Sequence, residues 1–274
     1  METFSRRKGL RLKSLKKKIE IAIIGGTGLE PLIKNAEAIQ VGTPYGIPPR
    51  ILVGTLHERQ VAFLPRHGAS HTVPPHRVNY RANIYALHQL GVQRIIATNA
   101  VGAINRDLKP GNLVVPHDFI DFTKLRPTTF YENAPVTHVD MSQPYCPEIR
   151  ASLIKAAEQS GVDIWEKGVL VCTEGPRLET QAEIEMFRRL GVDVVGMTSV
   201  PEVVLARELE ICYAPLCFVT NMAAGMQKRL TTSEVRKTAK KAYPVLQKLL
   251  RETVKNLPIK RNCLCPHALE HARF

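Results

Sequence analysis

No stretch of this 274-residue chain is apolar for long enough to cross a bilayer as a helix. The N-terminal segment lacks the apolar centre of a secretory leader, which leaves a mitochondrial presequence as the targeting alternative for a segment so basic and so poor in acids. A soluble, cytoplasmic protein with no membrane partner is the expectation. The six cysteines are neither dense nor regularly spaced, which excludes the disulfide framework of a small secreted domain. Cys146, Cys172, Cys212 and Cys217 stand singly in apolar or strand-like contexts and read as reduced core thiols. Cys263-Leu264-Cys265 reads as a structural or redox-labile pair; with no second cysteine pair and only His267 and His271 nearby, zinc has little support. Internal repeats are absent, and so is any linker long enough to divide the chain.

Acidic residues are also short, 25 against 38 Lys and Arg, for a formal charge of +13. The imbalance is uneven, because eight bases and one acid fall within residues 1–18, giving that arm +7 and leaving +6 for the rest. A basic arm can bind polyanions, but a charge run alone is unspecific and reads first as a solvated extension, so nucleic acid is not the favoured partner.

What is present is an alternation of strand and helix. Ile21-Ala22-Ile23-Ile24 is an apolar run closed by Gly25-Gly26-Thr27-Gly28, the pattern of a buried strand entering a tight turn. Runs rich in β-branched residues recur at Val61–Leu64, Arg94–Thr98, Leu113–Val115, Val169–Thr173, Val192–Met197 and Cys212–Thr220. Helical patterns lie between them at Tyr80–Leu90, Glu148–Ser160, Thr180–Leu190 and Pro201–Leu209, the first three stopped by glycine, and a last one at Thr232–Asn256. This order predicts an α/β fold, a single-domain three-layer sandwich with a mostly parallel central sheet flanked by helices. The expected division is a basic extension over 1–20, a domain over 21–257 and a C-terminal tail over 258–274.

In such folds ligands bind beyond the carboxyl ends of strands, and polar residues follow the apolar runs at Thr27, Arg66-His67, Asn99-Ala100, Glu174 to Glu179, Met197-Thr198 and Asn221. The glycine turn does not complete G-x-G-x-x-G and has no Walker Lys-Ser/Thr, which argues against a dinucleotide, yet its N–H groups and Thr27 could form an anion nest or a plain turn. Arg66 beside His67 suits a tetrahedral oxyanion; a surface pair is the plainer reading. His67, His71 and His76 are poor metal ligands as a set, because Gly68 and Pro74-Pro75 break any helix and no H-E-x-x-H follows, so no metal is expected. Singly, Glu179 could merely cap the next helix and Asn221 merely close a turn.

Taken together the segments resemble the trimeric purine nucleoside phosphorylases and their methylthioadenosine and methylthioinosine phosphorylase branch. The likeness runs from about Ile21 to Lys255 through Gly-Gly-Thr-Gly, Arg66-His67-Gly68, Pro74 to Ile84, Asn99-Ala100-Val101-Gly102, Glu174-Gly175-Pro176-Arg177 and Gly196-Met197-Thr198 with Pro201-Glu202. It implies that Thr27, Arg66, His67, Ala100 through its backbone and Thr198 bind phosphate, with Asn99 lining the same site. Met197 would contact the ribose. Glu179, Asn221, Met222 and Ala223 would meet the purine, and Thr232 and His138 the 5' end of the sugar, His138 reaching a neighbouring subunit's site. Asn221, Glu179 and His67 would be the catalytic groups. The implied reaction is attack of inorganic phosphate, a co-substrate, at C1' as the N-glycosidic bond stretches, with no cofactor and in a homotrimer, pairing of trimers being left open. Asn221-Met222-Ala223 stands where methylthioadenosine phosphorylases carry an Asp-x-Asp pair, which shifts the expectation toward 6-oxopurines such as S-methyl-5'-thioinosine, inosine or guanosine. S-methyl-5'-thioadenosine is the alternative substrate, and a nucleic-acid-binding protein on the same fold is the alternative of a different class.

Overall fold

The structure, a computed structural model, describes residues 19–26, 29, 32–68, 71–227 and 231–273. Among the described residues, eleven strands and five helices follow one another along the chain. The strands are β1 (Ile21–Gly25), β2 (Lys34–Ile39), β3 (Ile51–Leu56), β4 (Arg59–Pro65), β5 (Arg94–Ala103), β6 (Leu113–Val114), β7 (Asp118–Phe122), β8 (Ile164–Trp165), β9 (Val169–Thr173), β10 (Val194–Gly196) and β11 (Cys212–Met222). The helices are α1 (Tyr80–Gln89), α2 (Pro147–Ser160), α3 (Gln181–Arg189), α4 (Ser199–Glu208) and α5 (Thr232–Asn256). All of them belong to one α/β domain.

The central strands form because their sequences can be buried on both faces: every residue of β1 is buried, as are nine consecutive residues of β11 from Cys212. The neighbours β4, β1, β5 and β11 are mutually parallel. Antiparallel pairs are confined to β2–β3, β3–β4, β6–β11 and β5–β10, so the sheet is mixed with a parallel centre. β2 escapes a pattern search because its Lys-Asn-Ala-Glu-Ala-Ile stretch is an exposed edge whose one large apolar residue is Ile39. β8 is only two residues long.

Helix ends follow local chemistry. The Asn79 side chain caps α1 by accepting from the Ala82 N–H, Gly161 closes α2 with a left-handed φ of 63°, and capping boxes open α3 at Thr180/Glu183 and α5 at Thr231/Glu234. Leu246, Leu249, Leu250 and Val254 repeat at helical spacing and are buried, which seats α5 on the core. Beyond α5 the chain does not leave the domain. Cys263, Cys265 and Ala272 are buried, the Arg261 guanidinium donates to the Glu210 carbonyl, and Thr137 bridges to Arg273.

Two departures from the sequence pattern matter for the site. β5 continues past Thr98 to Ala103 and β11 past Thr220 to Met222, so Asn99, Ala100 and Asn221 lie inside strands rather than after them. β5 also branches. β11 takes one edge along its whole length, while the other edge is shared by β1, which pairs as far as Ala97, and β10, which pairs at Gly102 and Ala103. Between Thr98 and Val101 neither of them covers that edge.

Candidate active site

The uncovered stretch of β5 is the floor of a cleft. Along β5 every residue is buried except Ala100, which is exposed. Residues alternate in the edge to which their N–H and C=O point, and the Thr98 carbonyl accepts from Arg66 on the open side at 3.0 Å. Ala100 therefore turns its own N–H and C=O to the same open edge.

Arg66 follows β4 directly, its N–H bonded to the Gly25 carbonyl at 3.0 Å. Its guanidinium is almost wholly buried and is gripped by Glu202 of α4, Nε to Oε1 at 2.5 Å and Nη2 to Oε2 at 2.9 Å. Burial opposes the charge, but the Glu202 carboxylate outweighs it and holds Arg66 more firmly protonated than a free arginine. Nη1 and Nη2 each keep a second N–H beyond these bonds. The Tyr213 hydroxyl also donates to Glu202 Oε2, at 2.9 Å.

His67 is the next residue, and its Nδ1 lies 2.8 Å from the Val73 carbonyl. A carbonyl only accepts, so Nδ1 carries the proton. Burial first, and the Arg66 charge second, lower the imidazole from 6.5 to about 4, so near neutral pH His67 is uncharged with a lone pair on Nε2. His71 stacks on it with ring centroids 4.5 Å apart.

From the other side Thr198 donates to Asn99 Oδ1 at 2.9 Å, both side chains being buried, while Asn99 Nδ2 is buried without a hydrogen-bond partner. Thr198 stands just before α4, whose first turn is interrupted by the extended backbone of Val200. Met197 is fixed through its carbonyl, which accepts from Arg126 Nη1 at 2.7 Å. Its side chain lies against Gly175, where an added Cβ would meet the sulfur at 2.6 Å. Glu179 accepts from the Thr173 hydroxyl at 2.7 Å, and that hydroxyl also lies 3.4 Å from the Gly196 carbonyl, so Glu179 is tied to the segment holding Met197 and Thr198.

Asn221 reaches the same region through a bulge. Val219 pairs with Val101 and Asn221 with Gly102, so Thr220 is the extra residue and the strand is re-aimed there. The Asn221 amide is oriented by its neighbours: Nδ2 donates to the Met222 carbonyl at 2.8 Å and Oδ1 accepts from Thr220 at 2.7 Å. One N–H remains to be given outward. Gly102 makes room, since a Cβ there would stand 3.1 Å from Asn221 Nδ2. Met222 is half-buried and Ala223 buried beside them.

The structure thus gathers Arg66, His67, Asn99, Ala100, Glu179, Met197, Thr198, Asn221, Met222 and Ala223. Thr27 lies outside the described residues. Thr232 is the first residue of α5, and its side chain is likewise outside what is described. His138 is not part of this cleft in its own chain. It is exposed, in a separate open depression of about 520 Å³ with Thr129, Tyr131, Val136, Val204 and Glu208. Glu208 closes α4, at the end of the helix away from Thr198.

Three supporting groups were given no role by the sequence, although Glu202 and Tyr80 lie within segments that carry the resemblance. Glu202 reads as an ordinary acid in the first turn of a helix. Arg126 sits in a loop, yet its buried guanidinium donates to the carbonyls of Met197, Val200, Thr173 and Glu174 and so ties the ends of β9 and β10 together. Tyr80 accepts from the same Arg126 Nη1 at 3.1 Å. The cysteines also differ from their sequence reading. Cys146 and Cys212 are not isolated core thiols but converge with Cys263 and Cys265.

A polar cleft at the carboxyl ends of parallel strands, with a carboxylate-paired guanidinium and a neutral imidazole on one side and an amide and a carboxylate on the other, is the site class of an α/β enzyme. The chain belongs to the phosphorylase superfamily, whose family description matches residues 20–255. It is an enzyme of the pentosyltransferase type. A probable S-methyl-5'-thioinosine phosphorylase of Methanopyrus kandleri is 51% identical over 255 residues, covering 92% of this chain and 98% of that protein. The 6-oxopurine nucleoside phosphorylase of Pyrococcus furiosus is 51% identical over 261 residues, with the same coverage of 92% and 98%. Among solved structures, a methylthioadenosine phosphorylase sourced from an antarctic soil metagenomic library superposes with a TM-score of 0.88 at 36% identity, covering 94% of this chain and 93% of that one.

Proposed function

We propose that the enzyme cleaves the N-glycosidic bond of a 6-oxopurine nucleoside or 5'-thionucleoside with inorganic phosphate, releasing the free base and a ribose or 5-methylthioribose 1-phosphate. The observation that carries this reading is the open edge of β5 at Ala100, with Arg66 and His67 on one side and Thr198 on the other. A phosphate there would receive N–H bonds from Arg66 and the Ala100 backbone, and a bond from Thr198 once its hydroxyl turns away from Asn99 Oδ1, with Asn99 lining the site; the resemblance adds Thr27, which lies outside the described residues. His67, neutral and with Nε2 as acceptor, suits a phosphate oxygen that still carries a proton. No metal or organic cofactor enters the reaction. Phosphate held beneath C1' attacks as the bond to the purine stretches, and its negative charge stabilises the oxocarbenium-like sugar. Met197 lines the ribose.

The base preference rests on two orientations. The outward N–H of Asn221 donates to O6 or N7, both acceptors on a 6-oxopurine, and stabilises the charge that develops on the leaving base. Glu179 keeps its second oxygen free to accept from N1–H. Adenine offers an unprotonated N1 instead, which leaves two acceptors facing one another. The names of the 51%-identical relatives support the same reading. At the 5' end, a role that the resemblance gives to Thr232, S-methyl-5'-thioinosine is favoured over inosine and guanosine, by an amount limited to about 1–3 kcal/mol for one methyl-sized contact. The working form is a cytoplasmic homotrimer in purine salvage, each His138 completing a neighbour's site.

Phosphate-dependent turnover of S-methyl-5'-thioinosine, inosine, S-methyl-5'-thioadenosine and adenosine tests the reading, with Asn221→Asp as the second arm. The wild type should favour the 6-oxo compounds. The variant puts a carboxylate against the Met222 carbonyl and loses the outward donor, so it should lose 6-oxopurine turnover and shift its relative preference toward the 6-amino pair. Equal cleavage of both classes by the wild type would refute the base assignment.

A further inference from the structure

Far from the cleft, four thiols meet. The sulfurs of Cys146, Cys212, Cys263 and Cys265 all lie within 4.8 Å of one another, and all four residues are buried. Cys263 Sγ is 3.7 Å from Cys146 Sγ and 3.4 Å from Cys212 Sγ. A tetrahedral metal with bonds to sulfur of about 2.3 Å has sulfur–sulfur edges of about 3.8 Å. The observed spacing matches such a tetrahedron with modest closure of its longer edges.

The four come from three separate places. Cys146 is the residue before α2, Cys212 opens β11, and Cys263 and Cys265 belong to the segment after α5. The surroundings supply charge of the opposite sign. Arg94 pairs in register with Cys212 in the parallel neighbour strand, so the two side chains project to the same face. It is fully buried, and none of its guanidinium nitrogens has a hydrogen-bond partner; the Glu148 carboxylate is 3.8 Å away. A metal tetrathiolate carries two net negative charges, of which the single Arg94 guanidinium can offset at most one, in competition with Glu148.

We propose that Cys146, Cys212, Cys263 and Cys265 form a closed tetrathiolate site for one soft divalent cation of the zinc or ferrous-iron class, pinning the C-terminal segment to the starts of α2 and β11. Each thiol gives up its proton, so one cation binds as four protons pass to solvent and no electron changes hands. With all four positions filled by sulfur there is no open coordination place, and the role is structural rather than catalytic. Cys212 and Asn221 sit nine residues apart on one strand, roughly 30 Å at 3.3 Å per residue, so the site stands apart from the cleft.

The test uses the full chain purified under reductant, with metal content measured and cobalt(II) titrated into the metal-stripped protein. One zinc or iron per chain is expected, with thiolate-to-cobalt charge transfer and the strong visible bands of a tetrahedral centre at one equivalent. A strong chelator should lower the melting temperature, and zinc should restore it. The double variant Cys263→Ser/Cys265→Ser should lose metal and cobalt bands while keeping phosphate-dependent turnover at moderate temperature; Cys172→Ser and Cys217→Ser should keep both. Should the double variant not fold, the cobalt spectrum and stoichiometry of the wild type decide alone. A reduced chain that takes up no cobalt, or takes it up without thiolate bands, overturns the proposal. So does finding the four cysteines joined as disulfides under reductant.

Discussion

Replacing Glu202 by glutamine probes the buried pair on which the phosphate end of the cleft depends. Glu202 is fully buried and satisfies three donors, Arg66 Nε and Nη2 and the Tyr213 hydroxyl. Glutamine keeps the volume but has one oxygen in place of two, so its NH2 must face a donor, and Arg66 is left charged in the interior. Removing one partner of such a pair costs about 3–5 kcal/mol. For 274 residues, at about 2.1 cal/mol/K of unfolding entropy each, that lowers the melting temperature by about 5–9 °C. The unpaired guanidinium should then draw more from a bound dianion, so saturating phosphate should raise the variant's melting temperature by more than it raises that of the wild type. The double variant Arg66→Met/Glu202→Gln removes the stranded charge; it should regain part of the stability and stay inert toward phosphate. Calorimetric melts with and without phosphate, beside initial rates across a phosphate series, read all of this. Glu202→Gln with an unchanged melting temperature and an unchanged phosphate KM would refute the claim that this carboxylate holds Arg66 in place.

Two more outcomes are expected, the first from the geometry and the second from the proposed function. His67 titrates at about 4 in the folded chain against 6.5 when unfolded, so as pH falls through that window the unfolded chain takes the proton first. Stability contributed by the neutral imidazole is whole above 6.5 and is lost toward 4, by up to about 3 kcal/mol, and His67→Gln should flatten that part of the acid denaturation profile. An identical slope in the variant would contradict the buried neutral histidine. Light scattering coupled to size exclusion, with activity read on each peak, should find a trimer as the smallest active form, and His138→Ala should raise the nucleoside KM; a fully active monomer would remove the shared site.

Much of the fold was legible because its signals are local. β1, β4, β9 and β11 are short apolar runs, and α5 begins at a Thr-x-x-Glu capping box and is periodic to its end, so both kinds of element can be read without knowing what they touch. Arg66, His67 and Thr198 could be placed in a candidate site because each follows a strand.

What needed the tertiary structure has no local signature. The resemblance names Ala100 as a phosphate binder, but the physical reason appears only when the partition of one β5 edge between β1 and β10 leaves its backbone uncovered. The Thr220 bulge that aims Asn221 exists only relative to β5. Glu202 and Arg66 are 136 residues apart, and only folding shows that the acid in the first turn of α4 serves the arginine after β4. The cysteines show the same limit more sharply. The sequence by itself offers a Cys-x-Cys pair and four isolated thiols, because ligand spacing along a chain reveals a metal site only when its ligands come as local pairs; here three distant segments each bring one or two sulfurs, and the packing of α2, β11 and the C-terminal segment decides that they meet.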